Sequence, residues 1–296
     1  MRPLFVWLVA AAALPPRPAS AQAKALPPVD SNTVIVIART KGADVSGRVV
    51  ATDDTSLTLL TMKSKRVVLP SRTVESWRVR RGTLTARGFR DTDLHTSRLF
   101  FGPTARTLER HTGYAAAYDV VIWAGAYGVS DRVMVSGGFS MMEGWDSAAN
   151  KVTGAKGPAW LDARVGIFRS SKAAVALGAL LGTVTGPGGG SLGNAYAVAT
   201  LGSNDHAVTL LGGYPFSREN LANEPTFMIG GETRISSRLK LMTEVWRVPS
   251  TTATHAVWGV RWFNDRLVVH VGALDRLDSH LRAFPVAPWL DVGFRW

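Results

Sequence analysis

The sequence predicts an all-β chain: an antiparallel transmembrane β-barrel of about 12 strands preceded by a small N-terminal periplasmic β-barrel domain. Three observations carry this prediction. From about Tyr114 to Trp296, apolar and polar residues alternate with the period of an extended strand. Tight turns and long connections alternate between those runs. Aromatic residues gather beside the tight turns and at the chain end, as at Tyr127, Phe168, Trp262, Phe263 and Trp296. The last strand states the pattern most plainly: Leu290, Val292, Phe294 and Trp296 share one face, and Asp291, Gly293 and Arg295 the other.

Taken in order, the chain starts with a basic Arg2, an apolar run from Leu4 to Leu14 and the small-x-small triplet Ala19-Ser20-Ala21, which mark 1–21 as a secretory signal peptide. That run is too short to span ~30 Å of hydrocarbon, which takes about 20 helical residues. No later stretch approaches a spanning helix, so a chain that enters a membrane must do so as a closed barrel, in which neighbouring strands satisfy one another's backbone groups. The absence of cysteine excludes disulfides and thiol chemistry. A formal charge of +12 in an exported chain points to anionic lipid headgroups or anionic solutes, with no nucleic-acid partner.

Residues 22–32 read as an Ala/Pro-rich linker. The segment 33–81 contains five short β-rich runs, among them Thr33-Val34-Ile35-Val36-Ile37, Ser56-Leu57-Thr58-Leu59-Leu60 and Arg66-Val67-Val68-Leu69, parted by turn signals such as Lys41-Gly42 and Asp53-Asp54. Gly47-x-Val49 followed by Asp53-Asp54-x-Ser56-Leu57-x-Leu59 is similar to Sm-like and SH3-like small barrels. For an exported module the expected partner is a periplasmic protein, and its basic residues read as a solvated face. Residues 82–96, polar and without a period, read as a second linker.

The stretch Ser97-Arg98-Leu99-Phe100-Phe101-Gly102-Pro103-Thr104-Ala105-Arg106-Thr107-Leu108, then Gly113-Tyr114 and a strand closed by Tyr127-Gly128-Val129-Ser130-Asp131, resembles a group of uncharacterised Gram-negative outer-membrane barrel proteins. The resemblance runs from about Ser97 to the C-terminus, and Ala115 stands where those relatives carry a second tyrosine. It implies fold and location, and brings no reaction. The closing pattern Leu290, Val292, Phe294, Trp296 likewise resembles the C-terminal insertion signal of outer-membrane barrels, which implies the barrel-assembly machinery and outer-membrane lipid as partners.

Short turns fall at 128–132, 169–172, 202–205, 236–238 and 263–266, and longer connections at 143–157, 186–193, 216–224, 249–254 and 275–284. Short turns belong on the periplasmic side. These connections delimit eleven strands. A chain whose end and N-terminal module share one side needs an even number, so Ser97 to Phe101 is expected to supply the twelfth. Alternation then turns Asp162, Arg164, Glu232, Arg234, Lys240, Glu244, Arg261, His270, Asp291 and Arg295 toward the lumen. There they either brace the wall as neutralising pairs or, through a surplus of Arg and Lys, line a narrow aqueous path favouring anions.

No phosphate loop, metal-ligand spacing or cofactor motif is present, and no catalytic residue is assigned. His206 and His270 are the histidines placed within expected strands, without an evident nucleophile. The expected function is therefore an outer-membrane narrow pore or structural component. The rival readings are a secreted soluble β protein with a binding role and an outer-membrane lipid hydrolase.

Overall fold

The computed structural model describes residues 30–62, 64–85, 88–119, 121–141, 143–146, 151–185, 190–217, 224–247, 254–276 and 286–296. The expected signal peptide and most of the first linker lie outside these residues. Two compact units meet in sequence between Thr92 and Asp93.

The N-terminal unit is one antiparallel sheet of β1 (Asp30–Arg39), β2 (Val45–Thr52), β3 (Ser56–Thr61), β4 (Arg66–Pro70) and β5 (Val74–Val79), in the order β4-β3-β2-β1-β5. Branched residues at alternate positions build its core, with Ile35, Ile37, Val49, Leu57, Leu59 and Leu69 all buried. A 3-10 turn at Ser71–Thr73 carries the chain from β4 to β5, which pairs back on β1 with Trp77 opposite Ile37.

Between β2 and β3 the Asp53 carboxylate accepts the amide N–H groups of Thr55 and Ser56, each at 2.8 Å, together with both their hydroxyls. Those hydroxyl bonds, from Thr55 first and then Ser56, hold the carboxyl pKa at about 2, below its ordinary 3.8. A carboxyl depressed by folding stabilises this turn above the unfolded pKa and stops doing so as pH falls through the folded one. Amide-exchange protection at Thr55 and Ser56 is therefore expected to fall between about pH 4 and pH 2, and Asp53→Ala should remove that dependence.

The stretch expected as a linker at 82–96 contains a hairpin of β6 (Gly82–Thr85) and β7 (Gly88–Asp91). Arg80 donates twice to Asp91, at 2.7 Å each, and lies 4.6 Å over the Phe89 ring. Four-residue strands are too short to display a period, which is why the sequence here looked irregular.

The larger unit is a closed antiparallel barrel of twelve strands: β8 (Gly113–Tyr118), β9 (Ile122–Gly128), β10 (Val133–Ser140), β12 (Lys151–Arg169), β13 (Ala173–Thr185), β14 (Gly190–Gly202), β15 (His206–Ser217), β16 (Thr226–Arg234), β17 (Leu239–Arg247), β18 (Thr254–Phe263), β19 (Leu267–Arg276) and β20 (Val286–Arg295). A short β11 (Glu143–Asp146) pairs with the start of β12, inside what was expected to be a loop. Closure comes from β20 against β8, with Phe294 opposite Ala115, and from β10 against β12.

The expected number of strands is present, but its twelfth member is not Ser97 to Phe101. The run from Tyr114 to Tyr127 is instead two strands, folded at Asp119. This residue takes φ 46°, a left-handed conformation that a short Asp side chain tolerates, and its Oδ1 accepts the Leu290 amide at 2.8 Å. No Gly or Pro marks that turn, so the sequence carried no punctuation to split the run.

The wall is inverted relative to a water-soluble sheet. Leu161, Leu177, Leu210, Phe227, Val271 and Phe294 are 43–54% exposed, whereas Lys240, Glu244, Arg261, His270 and Asp291 are 0% exposed. Leu290, Val292 and Phe294 all face outward, with Asp291 inside. Tyr127 and Phe168 stand exposed near the short-turn end, as an interfacial girdle would. Phe263 departs from that expectation. Period 2 puts it on the Arg261 face, where it is fully buried with the Arg234 guanidinium 4.7 Å and the Lys240 ammonium 6.0 Å from its ring centre.

Candidate functional site

All ten lumen candidates stand on inward positions, and none is more than 9% exposed. What covers them is the segment from Asp93 to Leu108, which runs into the barrel and back. Its two ends lie at the short-turn end: Arg295, on the closing strand, donates to the Leu94 carbonyl, and the Thr107 hydroxyl donates to the carbonyl of Asp131 in the first short turn. Between these ends the chain forms a hairpin. Thr104 N–H donates to the Ser97 carbonyl at 3.1 Å, Arg98 bridges to Pro103, and Leu99 N–H donates to the Gly102 carbonyl at 2.8 Å across the tip. The residues that carry the family resemblance are thus a lumen hairpin, with Leu99 and Phe100 fully buried.

Each wall charge has a defined task toward this hairpin or toward a neighbour. Glu244 accepts the amides of Phe100, Phe101 and Gly102 at 3.1, 3.0 and 3.1 Å, and the Trp246 indole N–H at 3.1 Å. Three consecutive main-chain donors around one carboxylate form an anion nest at the hairpin tip. Arg261 donates to the carbonyls of Arg98 at 2.6 Å and Leu99 at 3.3 Å, and to Asp93 at 2.9 Å. Lys240 sits between Asp93 at 2.7 Å and Glu232 at 2.8 Å, and Glu232 also receives Arg106 at 2.7 Å. Arg164 donates to the carbonyls of Ser97 and Thr104, and to Asp162 at 3.5 Å; Asp162 receives the Tyr196 hydroxyl at 2.6 Å. Arg234 pairs with Asp205, and Arg295 donates to Thr112 at 3.1 Å.

A second chain of bonds runs around the wall. Arg261 Nε donates to His270 Nε2 at 2.6 Å, His270 Nδ1 donates to Asp291 at 2.7 Å, and Asp291 pairs with Arg98 of the hairpin at 2.6 Å. A guanidinium can only donate, so the imidazole proton sits on Nδ1. With both nitrogens engaged, His270 offers no free base. His206 is exposed and bonded to Thr233 at 2.6 Å, and His255, not counted among the strand histidines in the sequence, lies within β18. Among the described residues, no group of three His, Cys, Asp or Glu is placed to hold a metal ion.

The expected surplus of positive charge is small. Five wall cations (Arg164, Arg234, Lys240, Arg261, Arg295) face four carboxylates (Asp162, Glu232, Glu244, Asp291), and these groups are engaged with the hairpin, with each other or, for Arg234, with Asp205 and the Ser237 carbonyl. The wall is also hollowed to seat the tip. A β-carbon on Gly230 would collide with Leu99 Cδ1, and one on Gly272 would stand 3.1 Å from the Phe100 ring. From Ser97 to Leu108, Phe101 alone is exposed, at 43%, with its ring 4.2 Å from that of Trp289.

Sequence reasoning missed the hairpin, although two signals for it were present. Leu99-Phe100-Phe101 is an apolar run without alternation, and Gly102-Pro103 ends it after five residues, about half the length a crossing strand needs.

No protein-family model matches the chain, and neither does any curated protein sequence. Among solved structures it is similar to the KdgM porin determined in complex with disordered oligogalacturonate, at 9% identity and a TM-score of 0.44, covering 62% of this chain and 96% of that one. It is also similar to the NanC porin, at 9% identity and a TM-score of 0.41 over 62% and 97%, and to Omp33 of Acinetobacter baumannii, at 10% and 0.37 over 62% and 96%.

Proposed function

We propose that this chain is an outer-membrane β-barrel protein, a narrow pore or structural component of that membrane, closed in the present conformation by its own hairpin. The observation that carries the reading is the inverted wall: a continuous outward belt of half-exposed Leu, Val, Phe and Trp around a charged interior. Water would penalise that much exposed apolar surface, whereas lipid accepts it. The strand from Val286 to Arg295, with its outward Leu290, Val292 and Phe294 and terminal Trp296, would be read by the assembly machinery. The five-stranded N-terminal unit would lie in the periplasm as a small Sm-like or SH3-like barrel and dock a protein partner. Its β4-β3-β2-β1-β5 order and the 3-10 turn before β5 support that reading.

Two measurements test the membrane assignment. Mature protein should require detergent for extraction and should migrate differently on a gel before and after boiling; material that stays soluble without detergent would overturn the proposal. Leu210 lies mid-strand on the outer face and is 47% exposed. In a lipid-embedded wall, Leu210→Arg should cost about 2–4 kcal/mol in urea unfolding from vesicles. A water-facing wall would leave stability unchanged or improve it.

A further inference from the structure

The hairpin at the centre of the barrel is more than filler: we propose that it is a releasable plug, which closes the lumen as seen and opens it by withdrawing toward the short-turn end. This assigns the regulation of the pore and rests on the outer-membrane reading above.

Four features point to release rather than permanent bracing. Both arms leave by the same end, so withdrawal needs no threading through the wall. The tip's main chain is held by Glu244 and Arg261, and water can replace such bonds in kind, while the arms carry the Arg164 bonds and the ion pairs of Asp93, Arg98 and Arg106 that withdrawal must exchange for water. The seat also leaves polar atoms without partners. Both ring nitrogens of His95, the Ser97 hydroxyl and Arg98 Nε are buried and unbonded on the hairpin, as is Asp291 Oδ1 on the wall. Unsatisfied buried groups are costly, and hydration on withdrawal would return part of that cost. Finally, Leu99 enters a recess made by Gly230, so the tip fits as a removable knob in a preformed hole.

The chain has no cysteine, so a single engineered pair can lock the plug without competing thiols. Leu99 Cδ1 lies 2.3 Å from where a β-carbon on Gly230 would stand, so the two positions face each other across the contact between hairpin and wall, and Leu99→Cys with Gly230→Cys is the cross-link to test. The experiment uses the full mature chain reconstituted in planar bilayers, with gel heat-modifiability reporting the folded barrel. The reduced double variant is expected to show current steps, and oxidation should lower their open probability about tenfold or more. Wild-type and each single-cysteine variant should not respond to oxidant.

A second readout covers the chance that this glycine position tolerates no side chain, since a β-carbon there would also stand 2.9 Å from the Thr243 carbonyl. The single variant Leu99→Cys, at a position 0% exposed, should be labelled by a membrane-impermeant maleimide while the barrel stays folded. Equal currents in the oxidised and reduced pair, or labelling of the single variant only after unfolding, would overturn the plug while leaving a heat-modifiable membrane barrel intact. A chain that never enters lipid would fail the membrane reading itself, and the plug with it.

Discussion

Arg261→Ala is expected to lower barrel stability by about 3–5 kcal/mol, the usual consequence of removing one partner from a buried ionic network. The guanidinium spans hairpin and wall at once: it holds Asp93, the carbonyls of Arg98 and Leu99, and His270. Removing it leaves Asp93 and Glu232 with Lys240 as their shared cation, and leaves His270 Nε2 and two main-chain carbonyls without that donor. Arg261→Lys should recover only part of the loss, because a single ammonium cannot reach acceptors in three directions. Urea unfolding from lipid vesicles, read by tryptophan emission, measures both variants. A loss below ~1 kcal/mol for the alanine variant would mean that water enters the network freely and that the buried geometry contributes little.

Glu244→Ala has the second largest expected effect and a different signature. Its carboxylate closes a nest of three amides and one indole N–H, so deletion strands four donors, of which the Phe100 and Gly102 amides are buried, at about 1–3 kcal/mol for each buried donor that finds no water. The lost contacts lie at the hairpin tip, so the strand ladders should survive while the hairpin loosens. Amide exchange at Phe100, Phe101 and Gly102 should accelerate far more than exchange in β16 or β17. Glu244→Gln keeps an acceptor in place and should show a smaller change. Uniform loss of protection through the strands would instead make Glu244 a brace for the whole wall.

Much of this architecture was legible in the chain itself. Side chains on a strand alternate strictly, so Glu232 against Thr233, or Asp291 against Val292, declared their faces without coordinates. Alternating tight and long connections marked the joints between barrel strands, except the one at Asp119. Phe263 shows the limit of reading aromatics by neighbourhood: proximity to a turn suggested a girdle, while its parity with Arg261 placed it inside.

The hairpin was not legible as such, although its residues were the most recognisable in the chain. A run like Arg98-Leu99-Phe100-Phe101 reads locally as a short β element, because the groups that satisfy it come from positions more than a hundred residues away, at Glu244, Arg261 and Asp291. By itself, the sequence determined the closed-sheet class, the strand faces and the identity of the inward charges, since these follow from local period and connection length. Only the tertiary structure decided what those charges hold. Closing twelve strands creates an interior whose ionic groups must each find a partner, and the segment that supplies many of those partners lies outside the strands altogether.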